Sequence, residues 1–200
     1  TRRVNLIKRN MGDENMVSIR KYQPEDKPAV RHILIETSRL PVETEKDIKL
    51  LELLYNDYYT EVTPEYCFVA ADEKDEAIGY IICAPDYKSF RRNFFKFYLP
   101  EIRELGMKYY TRAFMNVMGH ALYAKKYPAH LHINVLNLCQ SKGTGTRLMD
   151  ALKAELRASG IKGLMLSCAA DNDGAIRFYK KNGFKVLSVI GGGCMMAIEL

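Results

Sequence analysis

Leu138-Cys139-Gln140-Ser141-Lys142-Gly143-Thr144-Gly145-Thr146-Arg147-Leu148 is the stretch on which the reading of this chain turns. Ahead of it, Leu131, Ile133 and Val135 alternate as in a buried strand, and behind it Leu148, Met149, Leu152 and Leu156 recur at helical spacing. A strand, a glycine loop and a helix N-terminus in that order turn backbone N–H groups and the positive end of a helix dipole toward one concavity. Such a concavity suits a phosphate or pyrophosphate. Two common nucleotide loops do not fit. The dinucleotide fingerprint needs a third glycine where Leu148 stands, and a P-loop needs Gly-Lys-Ser/Thr where the chain has Gly145-Thr146-Arg147.

The longer pattern does fit a known one. Gln140-Ser141-Lys142-Gly143-Thr144-Gly145 resembles the Arg/Gln-x-x-Gly-x-Gly/Ala pyrophosphate loop of the GNAT family of N-acetyltransferases. Further on, Asn172-Asp173-Gly174-Ala175-Ile176-Arg177-Phe178-Tyr179, ending in Gly183-Phe184, is similar to that family's second signature, Asn-x-x-Ala-x-x-Phe-Tyr and then Gly-Phe. The resemblance runs through residues 130 to 200 by motif and through residues 17 to 87 by element order.

What it implies is a mixed α/β fold of the acyl-CoA N-acyltransferase type, with a helical insertion before the fourth strand, and acetyl transfer from acetyl-coenzyme A to a primary amine. It also implies a strand that splays from its neighbour and leaves main-chain groups at Val135 and Leu136 for the pantetheine arm of coenzyme A. Gln140, Ser141, Lys142, Gly143, Thr144, Gly145 and Thr146 would surround the pyrophosphate, with Lys142 or Arg147 adding charge. Asn172 would cap its helix and bond the cofactor arm. Tyr179 matches the family's general-acid tyrosine, which protonates the departing thiolate.

The amine must also lose a proton. Many relatives place a carboxylate on the fourth strand, but here no Asp or Glu lies between Glu104 and Asp150. His130, His132 and Asn134 alternate onto one face of that strand, and His132, or His130, is the substitute base expected, by its ordinary pKa near neutrality. The missing carboxylate keeps a second reading open, a module that binds acyl-coenzyme A without catalysis.

Around this region the chain reads as one domain, residues 16 to 200, after a polar arm at residues 1 to 15. Its 200 residues are enough for a sizeable core, and 48% hydrophobic with 27% charged content is ordinary for a globular protein. No apolar run reaches the ~18 residues of a membrane span. A cytoplasmic protein without membrane or nucleic-acid partners is the expectation, with a homodimer left open.

The net charge is +6 and the pI about 9.0, yet the basic residues form no single long run. Residues 140 to 200 hold nine Lys/Arg against five Asp/Glu, an excess that favours a polyphosphate. Five cysteines (67, 83, 139, 168, 194) show no metal-ligand spacing, and all but Cys139 sit in apolar runs, so reduced core thiols and no metal are expected.

In order, the chain gives a strand at 17–20, a helix from Pro24 with Val30, Ile33 and Leu34 on one face, and a second helix over 43–59. A hairpin follows, with the charged turn Asp72-Glu73-Lys74-Asp75-Glu76. Between Pro41 and Glu65 stand seven acidic residues and two lysines, either a solvated helix face or an acidic rim for a cationic acceptor. Residues 88 to 128 are the insertion, basic and aromatic at Ser89 to Tyr98, expected to act as a lid or a dimer contact. Gly191-Gly192-Gly193 reads as a hairpin turn.

Overall fold

The computed structural model describes residues 17–136 and 143–200. The N-terminal arm and Cys139, Gln140, Ser141 and Lys142, each given a reading above, therefore lie outside the described residues.

Seven strands form one sheet in the order β1-β2-β3-β4-β5-β7-β6, comprising β1 (Ser18–Lys21), β2 (Phe68–Ala71), β3 (Ala77–Ala84), β4 (Ala129–Val135), β5 (Gly163–Ala169), β6 (Lys185–Ile190) and β7 (Gly193–Glu199). Every neighbouring pair is antiparallel except β4 and β5. Arg20 pins the β2–β3 turn to the first helix by bonding Asp26 and Asp75 together. Gly191 and Gly192 make the β6–β7 turn with positive φ of 58° and 80°, so the triple glycine is a hairpin.

Strand β3 is apolar on both faces because both are covered. Tyr80, Ile82 and Ala84 join a core with α1 (Lys27–Glu36), α2 (Glu45–Glu52) and α3 (Tyr58–Val62), while Ile81 and Cys83 join a second core under α7 (Thr144–Ala158). On α7, Leu148, Met149, Leu152 and Leu156 are fully buried, each worth roughly 1.5–3 kcal/mol of burial.

The second predicted helix is three pieces. Thr44 and Asp47 start α2 with a reciprocal capping box, and a five-residue π-helical turn, Leu53–Asp57, then separates it from α3. That turn places Tyr55 and Tyr59 side by side against β4.

The insertion is helical as expected. It comprises α4 (Tyr87–Asn93), a second π-helical turn (Phe94–Tyr98), α5 (Leu99–Leu105) and α6 (Met107–Gly119). It covers the same sheet face as α1 and α2, with Phe90, Phe94, Ile102, Ala113 and Val117 buried in that core. The last helix is α8 (Asp173–Lys181).

Among the described residues no helix is long and apolar enough to cross a membrane. Cys67, Cys83, Cys168 and Cys194 are free thiols, and all but the partly exposed Cys168 are buried.

Candidate active site

Strands β4 and β5 run side by side over only two register pairs, Ala129 with Leu164 and His130 with Met165, and then part. The remainder of β4 stays zipped to β3 through Gly79–Val135. The gap opens into a cleft of about 650 Å³. Ile133, Asn134 and Val135 form its floor, and Gly143 to Thr146 one wall. Helix α8, with Asn172 at its cap and Phe178 and Tyr179 along it, forms another, and Glu36, Thr37 and Ser38 at the end of α1 close it. Because α1 packs on one face of the sheet and α7 on the other, the cleft reaches both faces through the gap.

One wall of the cleft is the start of α7. Gly143 takes a left-handed conformation, φ 78°, that leads into α7, and no side chain among the described residues caps that helix. The amides of Thr144, Gly145 and Thr146 therefore keep their N–H groups for an anion, with the dipole of a 15-residue helix behind them. A Cβ on Gly145 would stand 3.1 Å from the Phe178 ring. Any side chain here would have to move that ring by a few tenths of an ångström.

Helix α8 is fixed at both ends. Asn172 Oδ1 accepts the Ala175 amide at 3.1 Å, leaving its NH₂ group for the cleft it lines, and Gly183 turns the chain at φ 89° so that Phe184 N–H reaches Tyr179 O. Lys153 Nζ, buried on α7, donates to Asn182 O at 2.7 Å and ties the two helices together. Tyr179 is buried, and burial raises its hydroxyl well above the ordinary tyrosine range, so it carries its proton at neutral pH.

Several expectations need correction. Leu136 N–H donates to Ile78 O at 3.0 Å, so that amide is taken by β3, and the alternation of the strand turns the main chain of Val135 toward the gap instead. Arg147 turns away from the cleft to bond Val17 O, and among the described residues Lys181 is the basic side chain that lines it.

The acids of residues 43 to 65 do not form a rim. Asp57 and Glu52 hold Arg31, Glu61 holds Lys27 and Tyr98, Asp47 closes its own cap and takes the Tyr109 hydroxyl, and none lines the cleft. Glu36 is the carboxylate among the lining residues; it sits at a helix end with no motif, where nothing in the sequence marks it.

His132 does not have the near-neutral pKa expected of a base. It shares a face with His130 and Asn134 as read, but that face is covered by Tyr55 and Tyr59, whose rings meet His132 edge-on at 5.0 and 5.2 Å. Burial, and then the proximity of His120, pushes its pKa down to about 3. Burial also holds His130 well below its usual value.

The Tyr59 hydroxyl lies 2.9 Å from His130 Nε2 and 3.0 Å from His132 Nε2. With one proton it can donate to one ring only, so the other ring donates to it. His130 Nδ1 is buried without a partner among the described residues, and a lone pair is less costly there than an N–H. This assigns His130 Nε2–H as donor to Tyr59, and Tyr59 O–H as donor to His132 Nε2. The lone pair of His132 is thus committed inside the fold.

A pH dependence of stability follows from the sign of that shift. An unfolded imidazole, with a pKa of ~6.5, takes up a proton that the folded one refuses, so stability is full above that value and is lost progressively toward pH 3. Between pH 7 and 5 the fold should lose about 2 kcal/mol through His132. Urea denaturation at the two pH values should show that loss partly relieved in His132→Asn; equal losses in the two proteins would contradict it.

The fold has many solved counterparts. SsHAT is 23% identical with a TM-score of 0.82, the match covering 92% of this chain and 98% of that one. The Drosophila melanogaster polyamine N-acetyltransferase is 14% identical with a TM-score of 0.65, over 92% and 100% of the two chains. A chain of the NatC complex, solved with a Gag peptide and coenzyme A, is 13% identical with a TM-score of 0.58, over 92% and 98%. The family model described as the acetyltransferase (GNAT) family matches residues 27–184, across the parted strands, the glycine loop and the helix of Tyr179, and to that family the chain belongs.

Proposed function

We propose that the protein transfers an acetyl group from acetyl-coenzyme A to a primary amine by direct attack, without a covalent acyl-enzyme. The observation that carries this reading is the parting of β4 from β5 beside the uncapped N-terminus of α7, with Tyr179 on the opposite wall of the same cleft. Bound acetyl-coenzyme A would supply the acyl group as a thioester.

The residues have separate tasks. The amides of Gly143 to Thr146 hold the two phosphates, extended by Gln140, Ser141 and Lys142 on the family resemblance, and the Asn172 amide and the main chain at Val135 hold the arm. Tyr179 Oη, protonated at neutral pH, gives its proton to the departing sulfur. Glu36, on the α1 side of the cleft, takes over the part that the sequence offered to His132 and receives the amine's proton through water.

Similar folds are named for a polyamine acetyltransferase and solved with a peptide. The fold alone therefore leaves both small amines and peptides as acceptors.

Release of free thiol from acetyl-coenzyme A, followed against a panel of small amines and peptides, tests the reading. Amine-dependent thiol release is expected. Tight coenzyme A binding with no release on any amine would replace the enzyme with a silent binding module.

A further inference from the structure

Charge is distributed unevenly along this chain. Residues 88 to 128 hold nine Lys/Arg and two Asp/Glu, whereas the remainder hold 21 and 22. The insertion thus carries the whole positive excess of the protein. Its two acids offset little of it: Glu101 meets Lys49 of α2 at 3.7 Å, and of the insertion's own cations Lys126 pairs outward, with Glu199 of β7. The ion pairs among the described residues include none made by Arg92, Lys96, Lys108 or Arg112.

Part of this charge lies along one face of α6. Lys108, Arg112 and Asn116 recur every four residues on α6 and so form one stripe. At its inner end Asn116 Nδ2 donates to the Tyr55 hydroxyl at 3.0 Å, and the Tyr55 ring meets His132 of β4, two residues before the cleft-lining Asn134. Lys108 and Arg112 are exposed at its outer end.

The insertion is held over this face of the sheet from the other side by Tyr123, whose hydroxyl donates to Ser188 Oγ of β6 at 2.8 Å. With α7 on the opposite face, the side of the gap left for an acceptor is the α1 side, the face that the insertion also covers. Of the acids on this side, Asp47, Glu52, Asp57 and Glu61 are bonded to Tyr109, Arg31, Lys27 and Tyr98, while Glu36, Glu43 and Glu45 are exposed.

We infer that Lys108 and Arg112 select the acceptor, and that it is a peptide carrying carboxylate side chains close behind the amine that is acetylated. This rests on the acetyl-transfer reading above. Residues four apart on α6 stand ~6 Å apart along the helix and extended peptide residues ~3.3 Å apart, so the two cations match carboxylates about two residues apart. A guanidinium pairs with a carboxylate in a two-pronged bond and repels a second ammonium. Small polycationic amines are therefore disfavoured as acceptors.

The test is kcat/KM on short peptides that share one N-terminal residue and continue with acidic, neutral (Gln) or basic (Lys) residues. It uses the wild-type chain and the Lys108→Glu, Arg112→Glu double variant, with folding of the variant checked by thermal melting. The wild type should use the acidic peptide about ten-fold better than the neutral one, with the basic peptide last and the advantage shrinking in high salt. The double variant should reverse the order.

Equal rates or a basic preference in the wild type would overturn the inference, as would an unreversed order in the folded double variant. Recruitment to anionic vesicles without any acidic-peptide preference would assign the charge to a membrane surface and overturn it too. Thiol release absent with all peptides and all small amines is a different result, and would overturn acetyl transfer itself.

Discussion

Tyr179→Phe should lower turnover by roughly 10²-fold while leaving the affinity for acetyl-coenzyme A nearly unchanged. The substitution removes one oxygen from a ring that stays packed against Phe178 and Phe184, at centroid separations of 5.3 and 5.8 Å, so helix α8 keeps its place. What is lost is a proton held by burial at neutral pH on the wall of the cleft. A departing thiolate then has to be protonated by water, and the effect falls on kcat and kcat/KM alike because the interaction develops only in the transition state. Steady-state kinetics with a saturating amine checks this. Unchanged turnover would reduce Tyr179 to a packing residue.

Gly145→Val should act in the opposite way, on cofactor binding. The added Cβ would lie 3.1 and 3.2 Å from two atoms of the Phe178 ring, and the γ-carbons would fill part of the concavity in front of the α7 amides. Hydrogen bonds to a charged phosphate are worth about 1.5–3 kcal/mol, so KM for acetyl-coenzyme A should rise roughly 10- to 100-fold, with a smaller change in kcat. Valine is no worse than glycine inside a helix, and an unaltered melting temperature would show that the fold is intact. A KM within two-fold of wild type (about 0.4 kcal/mol) would mean that the phosphates lie elsewhere. Gly143 is the poorer choice for this test, since at φ 78° any side chain strains the backbone as well.

The parts of the site that were legible in the sequence are those fixed by local chemistry. A glycine between an alternating strand and a helix marks where the helix begins, and Asn172 and Gly183 cap α8 by their own side-chain and backbone properties. The face shared by His130, His132 and Asn134 followed from strand periodicity alone, as the register with Ala84, Ile82 and Tyr80 bears out. What covers that face did not follow. His132 is set by Tyr55 and Tyr59, more than seventy residues earlier in the chain, and a π-helical turn that no hydrophobic period announces brings both rings to it.

The same reason applies to the acids of residues 43 to 65, whose partners Lys27 and Arg31 lie on another helix, and to Leu136, whose amide is spent only because β3 extends as far as Ile78. Glu36 and Lys181 enter the site purely by the way helices α1 and α8 end beside the gap. Charge segregation in the insertion was visible in composition, but the packing of α6 beside Tyr55 followed only from the fold.

The most direct measurement is the amide spectrum of nitrogen-labelled wild-type protein titrated with coenzyme A. Saturable shifts largest at Gly143, Thr144, Gly145 and Thr146 are predicted, since those N–H groups would take up the phosphates. Amides at these four positions that stay unmoved, whether the ligand binds elsewhere or not at all, would contradict it.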